Sequence, residues 1–356
     1  RRHIHQDRRR RTPGVRPPVI AELVGQFDGT VTSTLNGNVM GNIWFYSPTG
    51  IIAGAGSLFN VGSLVLTTND IDTTGGLYGS GNSIRFRGAA GSTGYVDINA
   101  GATLRTTNNK VTSQYVALVA PRVVQAGTIQ ADGQVALVGA EQADISINLG
   151  LLNLVVSQGT TDANGIVHTG TTTGAATTSA ANKQVIQMVA MPKNTALTMM
   201  LSGNIGYTPA ALASNEGSAV VLSAGYGSYV PRATQALALG NMTIADATIR
   251  NALTANATDT ILVQPTATNA VNFQADASLT AGKQINVIAD DDSLVSATGK
   301  LDLKSGFFET GGKVNVRAIN TTTTSPVGRI AVTGDLTIDT SGAADPTDPI
   351  AATSAA

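Results

Sequence analysis

Past Gly240 the chain repeats one short device, a triplet whose first and third residues are apolar, followed by turn residues. Met242-Thr243-Ile244, Ile261-Leu262-Val263, Ile285-Asn286-Val287, Leu301-Asp302-Leu303, Val314-Asn315-Val316, Ile330-Ala331-Val332 and Leu336-Thr337-Ile338 all follow it. In extended backbone each triplet points two side chains to one face and one to the other. No helical 3.6-residue period competes over a comparable window. A three-residue strand cannot bury a core by itself, so such strands must be stacked on copies of themselves.

The first half speaks the same language with more interruption. Gly29 to Leu35 precedes the turn Asn36-Gly37-Asn38, and Ser83 to Arg87, Tyr95 to Ile98 and Val111 to Ala120 are each bounded by Gly, Asn or Pro. Gly127 to Val138 reads as a strand, an Asp-Gly corner and a second strand, with Ile129, Ala131, Val135 and Leu137 on one parity. The densest stretch is Gly41 to Asp72, GNIWFYSPTGIIAGAGSLFNVGSLVLTTNDID, which holds the only Trp and predicts three strands with tight corners.

Composition fits thin layers better than one compact core. Hydrophobic residues make up 42% of the 356 residues but aromatics only 4%, beside 39 glycines, so inward positions must be filled by many small, similar side chains. Only 13% of residues are charged, which suits a long extracellular β protein more than an intracellular enzyme. There are no cysteines, which excludes disulfides, thiolate metal sites and a Cys nucleophile. No apolar run reaches the length of a membrane helix, and residues 8–22 do not read as a secretory signal.

The net charge of -1 hides an asymmetry. Residues 1–16 hold seven Arg and one Asp; removing them from 22 basic and 23 acidic residues leaves 15 and 22, a balance of -7. Residues 1–22 are therefore set apart as a basic, disordered or non-native segment rather than a nucleic-acid arm, because the acidic body offers no matching basic face. A chain opening on Arg1 is expected to lack an upstream part.

Residues 160–181 are almost purely Thr, Gly, Ala, Asn and Ser, so they read as a loop. The apolar runs Leu149 to Val156 and Val185 to Met191 flank it, which predicts an excursion such as a hairpin packed on the side of the stack. His168 inside this loop is expected to be a lone exposed histidine.

Short strands with corners predict an all-β parallel β-helix, with coils of about 20 to 30 residues stacked about 4.8 Å apart, on the order of 12 in all. The rival, an antiparallel sandwich or barrel, would need longer alternating strands and two-residue hairpins throughout. The Trp44, Phe45, Tyr46 cluster is the expected material for an N-terminal cap.

Catalytic signals are thin, and no catalytic, cofactor-binding or metal-binding residue is assigned. Asp290-Asp291-Asp292 could offer oxygen ligands to Ca²⁺, but its place between Val287-Ile288 and Leu294-Val295 reads as a solvated corner, as Asp70, Asp72 and Asp162 read as turn residues. Gly54-Ala55-Gly56 and Gly79-Ser80-Gly81 are corners rather than phosphate loops.

With those residues in view, Gly41 to Asp72 resembles the signature of the filamentous haemagglutinin N-terminal domain, the secretion domain of two-partner secretion exoproteins of Gram-negative bacteria. Asn42, Trp44, Pro48, Gly50, Ile51, Gly54, Asn60, Val61, Gly62, Leu64, Val65 and Thr68 fit that signature. Ser47 and Thr49 stand where the family usually has Asn, and either can still make a local turn bond. The resemblance covers about Phe27 to Tyr226.

The resemblance implies a right-handed β-helix with an N-terminal cap and extra-helical β excursions, exported unfolded through periplasm and outer membrane to become secreted or surface-bound. It implies one partner, an outer-membrane β-barrel transporter, with host or neighbouring-cell surfaces left to a distal region, and no nucleic acid. The corresponding division is 1–22 apart, 23–230 as the secretion domain and 231–356 as continuing repeats of a surface adhesin filament. Asn42, Trp44, Ser47, Pro48, Gly50, Ile51, Gly54, Asn60, Val61 and Gly62 form the expected secretion and cap motif. A carbohydrate-active β-helix enzyme and a single-chain autotransporter passenger are the alternatives.

Overall fold

The computed structural model describes residues 19–22, 25–78, 83–106, 114–148, 151–175, 184–194, 196–207, 219–225, 239–306, 312–321 and 326–340. The Arg-rich start, the Gly79-Ser80-Gly81 corner and the division at residue 230 lie outside them. Among the described residues every regular element is a strand, and no helix is long and apolar enough to cross a membrane.

The chain winds as a parallel β-helix with three faces per coil. Asn42–Tyr46 lies on the first face, Gly50–Ala53 on the second and Leu58–Asn60 on the third, and Ser63–Thr67 returns to pair in parallel with Asn42–Tyr46. Repeating that circuit stacks an eleven-stranded parallel sheet on the first face, from Val19–Glu22 to Leu336–Asp339. The other two faces join into one 18-stranded sheet because Leu197–Ile205 and Gly240–Ile249 each run through the corner between them. In the first of these the corner survives as a register shift between Leu201 and Gly203, where Gly203 takes φ +77°.

The triplets do what their pattern predicts. Ile51, Val96, Val123, Ile166, Met199 and Met242 stand in register on successive second-face strands, pointing into the lumen. Aligned positions Leu253, Ala277 and Leu301 are each 24 residues apart, whereas Val116 and Val135 are 19 apart, so corner length varies while strand register holds. Val316, Leu336 and Ile338 are 36%, 45% and 49% exposed, because they belong to the last described coil and have a neighbour on one side only.

A second, antiparallel sheet sits outside the solenoid. Asp70–Ile71, Ser83–Arg87, Gln142–Asn148 and Leu151–Gln158 pair in that order, and both insertions leave from the corner between first and second faces. This sheet packs on the outer side of the first face over a separate apolar cluster that includes Trp44, Val65, Ile84, Phe86, Tyr115 and Val119. First-face strands here are buried on both sides, which is why Tyr115–Ala120 and Gln134–Gly139 are near-continuous apolar runs instead of alternating ones.

Several expectations need correction. Gly41 to Asp72 holds five strands rather than three, since strands of two and three residues are too short to register as periodic. Residues 1–22 are not uniform, because Val19–Glu22 pairs in parallel with Asn42–Tyr46. The side hairpin is Gln142–Asn148 with Leu151–Gln158, upstream of the Thr-rich segment. That segment instead supplies coil strands Ile166–His168 and Thr171–Thr173.

Candidate functional site

The expected motif forms the coil beneath the first described strands. Asn42–Tyr46 has Val19–Glu22 on one edge and Ser63–Thr67 on the other. Alternation sends its adjacent aromatics opposite ways. Phe45 points into the lumen, where its ring centroid lies 5.0 Å from Phe27 and 6.1 Å from Phe59, with Phe27 and Phe59 5.2 Å apart. These three rings fill the N-terminal end of the described lumen. Trp44 points outward and is fully buried beneath the antiparallel sheet, so the expected cap cluster is split between two cores.

Trp44 Nε1 donates to the Tyr115 hydroxyl at 3.2 Å, and the indole meets Tyr78 edge to face at 5.6 Å. Burial pushes the Tyr115 phenol well above its ordinary range, so it remains protonated and neutral.

The glycines mark places where neighbouring backbones touch. Gly62 N donates to the Gly41 carbonyl at 3.0 Å, and a Cβ on Gly62 would stand 2.7 Å from Gly41 N and O. Gly41 itself takes φ +100°. Gly54 N donates to the Phe27 carbonyl at 2.7 Å, beneath Gln26 and Asp28. Gly50 lies under the Tyr95 ring, which a Cβ would meet at 3.2 Å.

Ser47 is buried and donates its N–H to Thr67 O at 3.1 Å, while its hydroxyl meets that of Thr49 at 3.4 Å across the exposed Pro48. Ile51 and Val61 are lumen residues; Val61 N donates to Arg105 O at 3.1 Å and the Asn60 carbonyl accepts from Ser33 N at 3.2 Å. Asn42 and Pro48 are the exposed members. The ten residues occupy successive corners and strands around the coil and do not converge on one patch. As a set they pack one layer against the next.

Pattern reading missed a cluster at the corner where the outer sheet departs. Glu141, with its side chain fully buried, accepts from Lys193 Nζ at 2.9 Å, Gln158 Nε2 at 2.9 Å and Gly91 N at 3.1 Å. Beside it Asn69 is fully buried and donates Nδ2 to Ala140 O at 2.9 Å. The available signal was one charged residue directly after the doubly buried run Val135 to Ala140, since a buried charge needs a partner.

His168 also overturns its expectation. It is fully buried and faces the lumen, with Nδ1 2.8 Å from Ser202 O and Nε2 2.9 Å from Thr172 Oγ1.

Asp291 and Asp292 take φ +44° and +63° and form the expected corner, with Asp291 Oδ1 accepting from Thr321 N at 2.8 Å. Asp162 accepts from Asn164 N at 2.8 Å as a turn residue. Asp72 accepts from Thr74 N at 2.9 Å, which holds its carboxyl below the ordinary range, with Arg85 adding to the effect. Among the described residues no group of three or more His, Cys, Asp or Glu side chains is placed to hold a metal ion.

No family model matches the chain, and no curated protein matches it.

Proposed function

We propose that residues 23–230 are the secretion domain of a two-partner secretion exoprotein, read by an outer-membrane β-barrel transporter and serving to start β-helix folding of a surface adhesin. The observation that carries this reading is the position of Gly41 to Asp72. Its strands form the coil between the first described strands and the body, filled by the Phe27, Phe45 and Phe59 cluster. A stack with nearest-neighbour stability can fold from such an end and propagate coil by coil.

The burial of Trp44 adds a mechanistic condition. A transporter that reads this indole must do so before the outer sheet closes over it, which agrees with export of an unfolded chain. The exposed Pro48 remains readable in either state.

The test is export from a Gram-negative host carrying the chain behind a secretory signal, together with a two-partner transporter. Pro48→Ala, at an exposed corner, is expected to fold normally yet lose most export, while Trp44→Ala loses export without losing expression. Wild-type export of the Trp44→Ala, Pro48→Ala double variant would overturn the proposal.

A further inference from the structure

The lumen is apolar in most coils, but two successive ones carry a polar layer. Gln125 and His168 occupy aligned positions on neighbouring second-face strands, and Leu201 follows in the next coil. Both polar side chains are fully buried. Gln125 Nε2 donates to Gly127 O at 3.1 Å and Thr171 O at 3.2 Å, tying its own corner to that of the following coil. His168 in turn reaches forward to Ser202 O and across its own corner to Thr172. Gly170 gives this layer its room, for a Cβ there would lie 2.6 Å from Gln125 Oε1.

The partners fix the state of the ring. A backbone carbonyl only accepts, so Nδ1 carries a hydrogen toward Ser202 O. Nε2 then accepts from the Thr172 hydroxyl. A proton arriving at Nε2 would turn this acceptor into a donor, force the hydroxyl to reverse and place a charge in the lumen.

Among the described residues no counter-ion faces it. Val123 and Ile129 on the preceding coil, Leu201 and Ile205 on the following one, and Leu137 and Met188 across the lumen do not ionise. Arg122, the one charged residue on these strands, is exposed on the outside. Tyr207 beyond the corner donates its hydroxyl to Gly133 O, and burial holds its proton in place.

We propose that the Gln125, His168 and Thr172 layer is an acid-sensitive latch, in which the Gln125 carboxamide and the neutral imidazole together hold three coils in register and proton uptake by the imidazole releases those coils before the rest. The latch goes beyond the export reading and does not depend on it. Two observations carry it: a fully buried, doubly bonded imidazole that spans two coils, and a surround that holds no countercharge among the described residues.

Burial drives the His168 pKa down from 6.5 to about 4, more strongly than its backbone contacts raise it. The unfolded chain therefore binds this proton more readily than the folded one. Stability from the neutral ring is whole above pH 6.5 and falls as pH drops toward 4. At pH 5 those two values lower the folded-to-unfolded ratio about 30-fold. Because each coil is held by its neighbours, the loss appears first in the coils that share the layer.

The aligned Gln125 shows that a carboxamide fits this column, so His168→Gln removes the titration with a side chain the fold already accepts. Hydrogen exchange at pH 7.5 and pH 5, corrected for the intrinsic rate, is the measurement. In wild type, amides of 166–173 and 199–205 should lose up to about 30-fold protection at pH 5 relative to those of 253–303. His168→Gln should lose protection equally in both regions. An equal pH response of wild type and variant overturns the latch. If the variant fails to fold, the wild-type protein decides by histidine NMR titration: a His168 resonance still neutral at pH 5 supports the proposal, and a midpoint near 6.5 overturns it.

Discussion

Removing Lys193 should loosen the outer sheet more than an ordinary surface charge could. Glu141 has no exposed side-chain surface and Lys193 has 27%, so Lys193→Met leaves a carboxylate in the interior without its countercharge. Stranding a buried charge costs about 3–5 kcal/mol when nothing else compensates. Here Gln158 Nε2 and Gly91 N still donate to the carboxylate, and water can approach from the lysine side. The expected loss is therefore about 2–3 kcal/mol. Glu141→Gln in the Lys193→Met background removes the charge that was stranded and should recover about 1–2 kcal/mol, a coupling within the range for residues in contact.

Trp44 supplies the assay, since it is the chain's only tryptophan and lies under the sheet that Glu141 anchors. With a urea slope of about 3 kcal/mol/M, Lys193→Met should lower the fluorescence midpoint by about 0.8 M, and the double variant should regain roughly half of that. A shift below about 0.2 M for Lys193→Met, or a double variant as unstable as the sum of its singles, would refute the argument that Glu141 is held by charge compensation.

Gly62→Ala should cost about 1–3 kcal/mol, because its Cβ would meet the Gly41 backbone at 2.7 Å, whereas Gly29→Ala, with nothing within 4 Å, should stay within about 0.5 kcal/mol; thermal melts compare the two. Trp44→Phe removes the donor to the buried Tyr115 hydroxyl and part of the cluster's volume, so it should cost about 1–3 kcal/mol, with a smaller loss when Tyr115→Phe is already present, as read by a double-mutant cycle. At Asp291, held at φ +44°, Asp291→Gly should be better tolerated than Asp291→Ala by about 1 kcal/mol, although both lose the bond to Thr321 N, as chemical denaturation would report.

The stacked architecture was legible because triplets such as Ile285-Asn286-Val287 bury their first and third members wherever a neighbouring coil lies on each side. The threonine-rich coil strands were harder to place, for a composition-based boundary treats threonine as loop material. Thr172 sits on the third face, aligned with Ile129 and Ile205, and its hydroxyl satisfies a histidine two residues beyond the coil's last aliphatic inward position, Ile166. Nothing local distinguishes such an inward threonine from a loop threonine, since the distinction rests on residues 33 and 43 positions away, Ile205 and Ile129, with which Thr172 is aligned. The Gly41 and Gly62 contact was hidden for the same reason: each glycine reads as a turn until coil register brings the two backbones together.

Trp44 and Phe45 show why one strand can organise so much of the chain. Neighbours in sequence, they face opposite sides of the same parallel sheet, so Phe45 joins the lumen while Trp44 joins the cluster beneath the outer sheet. The strand Asn42–Tyr46 is thus a shared wall of both cores, and a change in its register by one residue would exchange the two aromatics and disrupt both. Its partners come from far apart in the chain: Phe27 and Phe59 on the lumen side, Tyr78 and Tyr115 on the other. Completing the lumen side requires only the coil that follows, whereas completing the outer side waits for Tyr115 and for the strands of residues 83–87 and 142–158. In a chain that emerges from its N-terminus, the indole therefore stays uncovered longer than the phenyl ring. Under the proposed export, that interval is the period in which the transporter reads the segment, before the outer sheet removes Trp44 from reach.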